Sequence, residues 1–254
     1  MITRVLLTLF MVLYLKPQNT SHTNLVFSDE FNEGKLDLSS WSYELGNGCP
    51  NLCGWGNNEL QVYTKKNVST VNNQLVISAT NEAGNYYSGR ITSKDKFEFR
   101  YGTIEVKAKL PKGRGLWPAI WMLGHDIDSN PWPACGEIDL MEYVGKHPGK
   151  IYTTLHSPAS FGQSINTKTT SIESIETGFH VYKTRWDAHQ IQFYIDNTLV
   201  YTFSPEIKNE KTWPFDKPFY VILNLAIGGN FGGPEVDDSI FPKEFVVDYV
   251  KVYQ

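Results

Sequence analysis

Short segments in which apolar and polar residues alternate recur along this 254-residue chain, and they constrain its fold more than any other feature. A period of two is typical of half-buried antiparallel strands. Asp196-Asn197 predicts a hairpin turn, and no convincing amphipathic helix is present beyond a short turn near 174–177. The sequence therefore predicts an all-β fold, a jelly-roll sandwich of two antiparallel sheets with one concave face. The strand-like segments are 74–79, 102–110, 190–195, 218–226 and 245–253.

The length and composition fit one domain. A chain with 41% hydrophobic and 14% aromatic residues can bury one good core, and all-β domains of this length are commonly single. We therefore expect one domain over residues 21–254, and we expect a monomer. The net charge of −4 and the lack of any basic run argue against nucleic acid as a partner.

The N-terminus has the pattern of an export signal. Arg4 precedes an apolar run from Val5 to Leu15, and polar residues follow from Gln18. A basic residue, a short apolar core and a polar flank are typical of a secretory signal peptide, and this run is too short for a confident membrane span. We predict a signal peptide over about residues 1–20, no membrane span in the mature protein, and a location outside the cell or at its surface.

The run from Gly136 to Glu142 places three carboxylates within six residues, between large apolar side chains. A flat strand would put Glu137 and Asp139 on one face and Glu142 on the other. One extra residue, a β-bulge, would return Glu142 to the same face, and bulges are frequent beside active sites. Clustered carboxylates repel one another, so their pKa values separate, as acid–base chemistry requires.

The alternative interpretation of this run is an ordinary strand with a few exposed acids. The surrounding sequence favours chemistry, because Trp117 and Trp121 precede the acids and His156 follows them. Two carboxylates among aromatic side chains are typical of sites that cleave glycosidic bonds. A retaining pair needs carboxyl groups about 5 to 5.5 Å apart, so the sheet has to curve at this point.

Further runs complete a family resemblance. With the Glu-x-Asp-x-x-Glu signature at 137–142, they make the chain from Asn24 to Gln254 resemble glycoside hydrolase family 16, and within it the bacterial laminarinases, which are endo-β-1,3-glucanases. The resemblance implies a secreted enzyme that cleaves laminarin-like β-glucans with retention of configuration and without a catalytic cofactor. The supporting runs are 55–64, 89–91, 115–123 and 223–233.

The same resemblance assigns roles to the three acids. Glu137 is expected to be the nucleophile that forms a glycosyl-enzyme intermediate. Glu142 is expected to be the general acid and then the base that activates water. Asp139, which lies between them, is expected to tune their protonation. This division agrees with the chemistry of a retaining pair of carboxylates.

Substrate-binding residues also follow from the resemblance. Trp121 is expected to form the floor beside the cleaved sugar, with Trp117 lining neighbouring subsites on the non-reducing side. Indole rings stack on sugar faces, and their N–H groups can bond a hydroxyl. Further candidates are Arg90, Asn58 with Asn57 as an equal alternative, His156 near the acid/base or the acceptor sugar, and Trp132 and Phe231 at the edges of the cleft.

The sequence also predicts two features outside the cleft. Cys49 and Cys53 are expected to form a small disulfide after export, with two free thiols as the alternative, and Cys135 is expected to be a buried thiol. The resemblance implies a structural calcium ion away from catalysis, with Glu30 and Asp248 at its ligand positions and water completing the shell. The alternative there is a pair of salt-bridged or capping acids.

Three other functions remain open from the sequence. The same site can serve a mixed-linkage β-1,3-1,4-glucanase or a transglycosylase. A non-catalytic, lectin-like glucan-binding jelly roll is the third alternative, but such proteins normally lose one or both catalytic acids. Both Glu137 and Glu142 are present here.

Overall fold

The computed structural model describes residues 24–254, so the predicted signal peptide lies outside the described residues. Strands dominate this part of the chain, and the only α-helix in it is the single turn α1 (Gly229–Gly232). None of its helices is long and apolar enough to cross a membrane. The strands are β1 (Leu25–Asp29), β2 (Ser42–Tyr43), β3 (Val62–Tyr63), β4 (Val68–Val71), β5 (Gln74–Glu82), β6 (Asn85–Ser88), β7 (Arg90–Thr92), β8 (Glu98–Phe99), β9 (Gly102–Lys109), β10 (Leu116–Gly124), β11 (Glu137–Tyr143), β12 (Lys150–His156), β13 (Thr167–Ser171), β14 (His180–Trp186), β15 (Ile191–Ile195), β16 (Thr198–Phe203), β17 (Phe219–Ile227) and β18 (Lys243–Tyr253). Three short 3₁₀ helices, Cys53–Gly56, Lys65–Asn67 and Asp238–Ile240, complete the described elements.

Within residues 24–254 these strands form two sheets. The first has ten strands in the order β16-β15-β14-β9-β18-β5-β6-β3, with β1 paired to β18 and β4 paired to β5. The second has eight strands in the order β13-β12-β11-β10-β17-β7-β2, with β8 paired to β17. Pairing is antiparallel except between β3 and β6, which run parallel. The all-β jelly-roll class predicted from the sequence is confirmed.

The hydrophobic core lies between the two sheets. Alternate residues of β5, such as Leu75 and Ile77, are fully buried, and they join one apolar cluster with Leu223 and Leu225 of β17. Alternation places every second side chain of a strand on this inner face, where burial of apolar surface stabilises the fold. The opposite face of the eight-stranded sheet is left to carry polar and aromatic side chains.

The predicted strand segments correspond to β5, β9, β15, β17 and β18, with ends that differ by a few residues. The predicted turn connects β15 to β16, and Asp196 and Asn197 adopt positive φ values of 48° and 66°. Two consecutive residues with positive φ form the two-residue turn whose twist matches that of an antiparallel hairpin.

Candidate active site

The predicted bulge is present in β11. Toward β10, Trp121 pairs with Asp139 and Ile120 pairs with Met141, so Leu140 has no partner in the register. Leu140 and Met141 are adjacent, yet both are buried in the core. This extra inward residue returns Glu142 to the face that carries Glu137 and Asp139. The three carboxylates therefore point away from the core on one face of the eight-stranded sheet.

Burial and mutual repulsion shift the protonation of all three carboxyl groups. Burial and the neighbouring Asp139 carboxylate raise the pKa of Glu137 to about 8. Burial, with the nearby negative charge of Glu142, raises the pKa of Asp139 well above its ordinary value. Burial raises the pKa of Glu142 to about 7, although the positive charge of His156 opposes the shift. Glu142, whose raised pKa lies near neutral pH, can therefore hold a proton there, as a general acid requires.

His156, on the adjacent strand β12, lies next to Glu137 and Asp139. Its Nε2 atom lies 3.3 Å from Asp139 Oδ2 and 3.6 Å from Glu137 Oε1. One ligand atom of each of these three residues lies within 4.8 Å of the others, a spacing that fits a metal ion as well as shared protons. The nearby Asp139 carboxylate raises the pKa of Glu137, and the buried Oδ2 atom of Asp139 has no hydrogen-bond partner among the described residues.

Both oxygens of Glu142 accept hydrogen bonds. Trp117 Nε1 donates to Glu142 Oε1 at 3.1 Å, and Thr154 Oγ1 approaches Oε2 at 3.5 Å. The Trp117 indole N–H is therefore occupied within the protein. The Trp117 ring lies beside Glu142, and its role in lining a subsite stays a prediction.

Arg90 is buried on the other side of the carboxylates, on β7. Its guanidinium carbon lies 4.4 Å from the Trp55 ring centroid and 5.0 Å from that of Trp121, and its Nε donates to Glu44. Planar guanidinium groups stack well on aromatic faces. Arg90 thus lies between two rings. It contacts Trp55 in its loop and Trp121 at the floor of the site.

A directed chain of hydrogen bonds fixes the Trp121 indole. Trp121 Nε1 donates to Asn224 Oδ1 at 2.7 Å, Asn224 Nδ2 donates to the Tyr63 hydroxyl at 3.1 Å, and that hydroxyl donates to Glu59 Oε2 at 3.1 Å. Gln61 Nε2 donates to the same Glu59 oxygen at 2.6 Å. The Trp121 N–H thus donates within the protein, and the predicted role of the ring as the floor beside the cleaved sugar stays a prediction.

Asn58 lies on the exposed rim of the site, in the left-handed region with a φ of 55°. Its Nδ2 donates to Asn230 Oδ1 at 2.8 Å, which ties this loop to α1. Asn57, the alternative candidate, turns inward, and its Nδ2 lies 3.4 Å from Glu59 Oε1. Asn58 is therefore the member of the pair that is placed to meet a ligand.

Two further aromatic side chains border the carboxylates. Phe231 in α1 packs edge-on against Trp117, with ring centroids 5.5 Å apart. Trp132 is 41% exposed, and its ring centroid lies 5.8 Å from that of His156. A hydrogen bond from Trp132 lowers the pKa of Glu137 against the larger effects that raise it. Trp132 and Phe231 therefore lie close to the carboxylates, and their contact with a substrate stays a prediction.

The cysteines also behave as predicted. Cys49 and Cys53 are joined by a disulfide at the base of the loop that carries Trp55. Cys135 is a buried free thiol, and burial raises its pKa to about 12. A thiol that remains protonated is a poor nucleophile, so Cys135 has no catalytic role.

The two residues predicted to bind calcium lie near the paired strands β1 and β18, far in sequence from the acids. Glu30 Oε1 contacts Lys251 Nζ at 2.7 Å, and Asp248 Oδ2 contacts Lys107 Nζ at 2.9 Å. A lysine ammonium already balances each carboxylate, so these side chains as placed do not form a free set of oxygen donors. The calcium site stays a prediction.

Sequence reasoning missed the residues that support the site from behind. Glu59, Gln61 and Tyr63 alternate with a period of two, which places them on one face of an extended segment. Asn224 is an amide inside the otherwise apolar strand β17, and it is 5% exposed. A polar residue within an apolar strand needs a buried partner, and this signal could have identified Asn224 from the sequence.

Comparison with known proteins agrees with this geometry. Residues 56–250 match the model of glycosyl hydrolases family 16. A β-glucanase of Rhodothermus marinus is 39% identical over 92% of this chain and 86% of its own length. The crystal structure of a laminarinase from Flavobacterium sp. UMI-01 is 57% identical, covers 91% of this chain and 100% of that chain, and superposes with a TM-score of 0.90.

A third neighbour is the structure of a non-specific endo-β-1,3(4)-glucanase, which is 39% identical, covers 91% of each chain and has a TM-score of 0.83. The matched family region contains the bulged strand, the three carboxylates and the aromatic side chains around them. This chain therefore belongs to glycosyl hydrolases family 16 and is a glycoside hydrolase, which needs no cofactor for catalysis.

Proposed function

We propose that this protein is an endo-acting β-1,3-glucanase that hydrolyses laminarin-like glucans with retention of configuration. The observation that carries the proposal is the bulge in β11, which brings Glu137 and Glu142 to the same face with Asp139 between them. Two carboxyl groups on one face are the requirement of double-displacement glycosidases. Relatives named as a laminarinase and as a glucan endo-1,3-β-glucosidase support β-1,3-glucan as the substrate.

In the first step, the ionised Glu137 attacks the anomeric carbon, and a glycosyl ester forms as the glycosidic bond breaks. Glu142 gives its proton to the departing glycosidic oxygen at the same time. In the second step, Glu142 takes a proton from water, and the resulting hydroxide displaces Glu137 from the anomeric carbon. The raised pKa of Glu142, about 7, suits a group that first donates and then accepts this proton.

The nucleophile has to be negative when it attacks, and its two close neighbours act on that charge in opposite directions. The Asp139 carboxylate raises the pKa of Glu137, so Asp139 has to hold a proton while Glu137 is ionised. The Nε2 atom of His156 lies 3.6 Å from Glu137 Oε1, and a protonated imidazole at that position stabilises the negative charge. His156 in that form offsets part of the cost of burying the nucleophile.

The shape of the site supports cleavage within a chain. Arg90, Trp55 and Trp121 lie on the β7 and β10 side of the carboxylates, and Trp132 lies with His156 on the β12 side. A polymer that lies across the sheet meets aromatic surface on both sides of the bond to be cleaved. Aromatic rings stack on the apolar faces of sugars, so both halves of a long chain can be held.

The proposal is tested by a reducing-end assay on laminarin, mixed-linkage glucan, agarose and carrageenan in parallel, with the Glu137→Gln variant as the control. We expect the highest rate on laminarin and no turnover by the variant. Proton NMR of the first product should show the β-anomer before mutarotation, because retention preserves the configuration. An α-anomer as first product, or no activity on laminarin, would contradict the proposal.

A mixed-linkage specificity is the second candidate. It is supported by the similarity to a non-specific endo-β-1,3(4)-glucanase, in which the same fold accepts both linkages. A higher rate on mixed-linkage glucan than on laminarin would preserve the mechanism and change the specificity. Product analysis at high laminarin concentration separates hydrolysis from transglycosylation, since only the latter makes chains longer than the substrate.

We also propose that the mature protein is exported, that it is a monomer, and that residues 21–254 form one catalytic domain. The apolar N-terminal run supports export, and the continuous core between the sheets supports one domain. N-terminal sequencing of the secreted protein and its mass by light scattering test these points. Structural calcium near Glu30 and Asp248 stays a prediction, which a calcium-dependent rise in Tm would confirm.

A further inference from the structure

A row of rings extends outward from the catalytic carboxylates on the β12 side. The Trp132 ring centroid is 5.8 Å from that of His156, and the Phe161 centroid is 5.5 Å from that of Trp132. His156 lies at the carboxylates themselves, so the row begins at the reaction centre. The three rings lead away from Arg90 and Trp121, which lie on the opposite side.

Phe161 ends this row, and its ring is half uncovered. Its exposure is 52%, against 41% for Trp132, so both rings present apolar surface to solvent. The loop that carries Phe161 is nevertheless braced. Ser164 Oγ donates to the Leu155 carbonyl at 2.7 Å, and the Ile165 N–H donates to Ser160 Oγ at 2.9 Å.

An exposed aromatic ring on a braced loop is well suited to bind a ligand. Stacking requires a ring whose position is already fixed, because ordering a mobile side chain would offset the binding free energy. Trp132 meets Phe161 edge-on, with an angle of 83° between the ring planes. The two rings therefore offer separate faces, and one sugar cannot occupy both.

We propose that the β12 side of the carboxylates holds the departing chain, and that Phe161 is a second stacking platform there, beyond Trp132, so that the site holds at least two sugar units of that chain. The inference rests on the proposed glucanase function and concerns the same site. It makes Phe161 a residue that selects the position of the cut, without contact with the reacting atoms.

The test uses laminaripentaose with ¹⁸O at its reducing end, and mass spectrometry of the initial products of the wild-type protein and of Phe161→Ala. When two sugars occupy the leaving-group side, the label appears in the disaccharide. Loss of the Phe161 ring weakens binding with two sugars on the leaving-group side relative to binding with one sugar there. We expect the ratio of labelled glucose to labelled disaccharide to rise about threefold to tenfold.

Two variants control this experiment. Ile165→Ala changes a side chain of the same loop that is 87% exposed, and it should preserve the wild-type ratio. Phe161→Tyr retains a ring and should restore that ratio. An unchanged ratio in Phe161→Ala, an equal shift in Ile165→Ala, or a shift toward longer labelled products would overturn the inference alone. Failure of the wild-type protein to cleave the pentasaccharide would overturn the proposed function as well.

Discussion

Replacement of the nucleophile by its amide should abolish activity and stabilise the protein. Glu137→Gln removes the group that attacks the anomeric carbon, and loss of a nucleophile costs at least about 10⁴-fold in kcat. The same change removes a carboxyl group that is only 17% exposed and stands beside Asp139. A glutamine side chain retains the shape of glutamate, and its amide can still donate to Asp139.

The size of the stabilisation follows from the pKa. Burial and the neighbouring Asp139 raise the pKa of Glu137 from its ordinary value of 4.5 to about 8 in the folded state. Between these values the folded protein binds more protons than the unfolded chain, so the free energy of unfolding falls as the pH rises. One pKa unit corresponds to about 1.4 kcal/mol, and the interval from pH 5 to pH 7 lies between the two pKa values, so we expect the free energy of unfolding to fall by about 2 kcal/mol across it. The glutamine variant avoids this loss.

Urea denaturation of both proteins at pH 5 and pH 7 measures the effect. The stability advantage of Glu137→Gln over the wild type should grow by about 2 kcal/mol from the lower to the higher pH. Glu244→Gln on β18 removes the same charge at an exposed position, and its difference from the wild type should stay constant. If the difference in the free energy of unfolding between Glu137→Gln and the wild type does not depend on pH, the argument that burial of this carboxylate is costly is refuted.

Three further changes test other parts of the structure. Tyr63→Phe removes the hydroxyl between Asn224 and Glu59, and the unpartnered amide should lower the free energy of unfolding by about 1 to 3 kcal/mol in urea; an unchanged value would mean that water replaces the hydroxyl. Trp121→Ala should lower kcat/KM on laminarin at least about tenfold, and an unchanged rate would place the ring outside the substrate path. The Cys49–Cys53 disulfide closes only a small loop, so its reduction should lower the free energy of unfolding by about 2 kcal/mol at most. Denaturation with and without dithiothreitol measures this change.

The sequence predicted the arrangement of the three carboxylates because they lie on one strand. The spacing of Glu137, Asp139 and Glu142 required a bulge, and the structure contains it at Leu140. Local patterns of this kind can be read from consecutive residues, since side-chain direction along a strand has a fixed period. The same argument correctly located Trp117 and Trp121 beside the acids.

The sequence did not predict the hydrogen-bond partners of the buried polar groups. The indole N–H groups of Trp117 and Trp121 donate to Glu142 and Asn224 within the protein. The Trp121 partner is 103 residues away in the sequence, and Tyr63 is 161 residues from Asn224. Such contacts arise only when distant strands pair, so no local pattern encodes them.

Alternating polarity and turn residues by themselves determined that this chain forms strands, where several of them lie, and which three carboxylates share a face. These properties depend on residues that are neighbours in the sequence, and steric and hydrophobic periodicity fixes them locally. The tertiary structure decided the protonation of the carboxylates, the chain of hydrogen bonds behind Trp121, and the ring row that ends at Phe161. Desolvation, charge interaction and ring contact depend on distance in space, and only the packing of remote strands sets that distance.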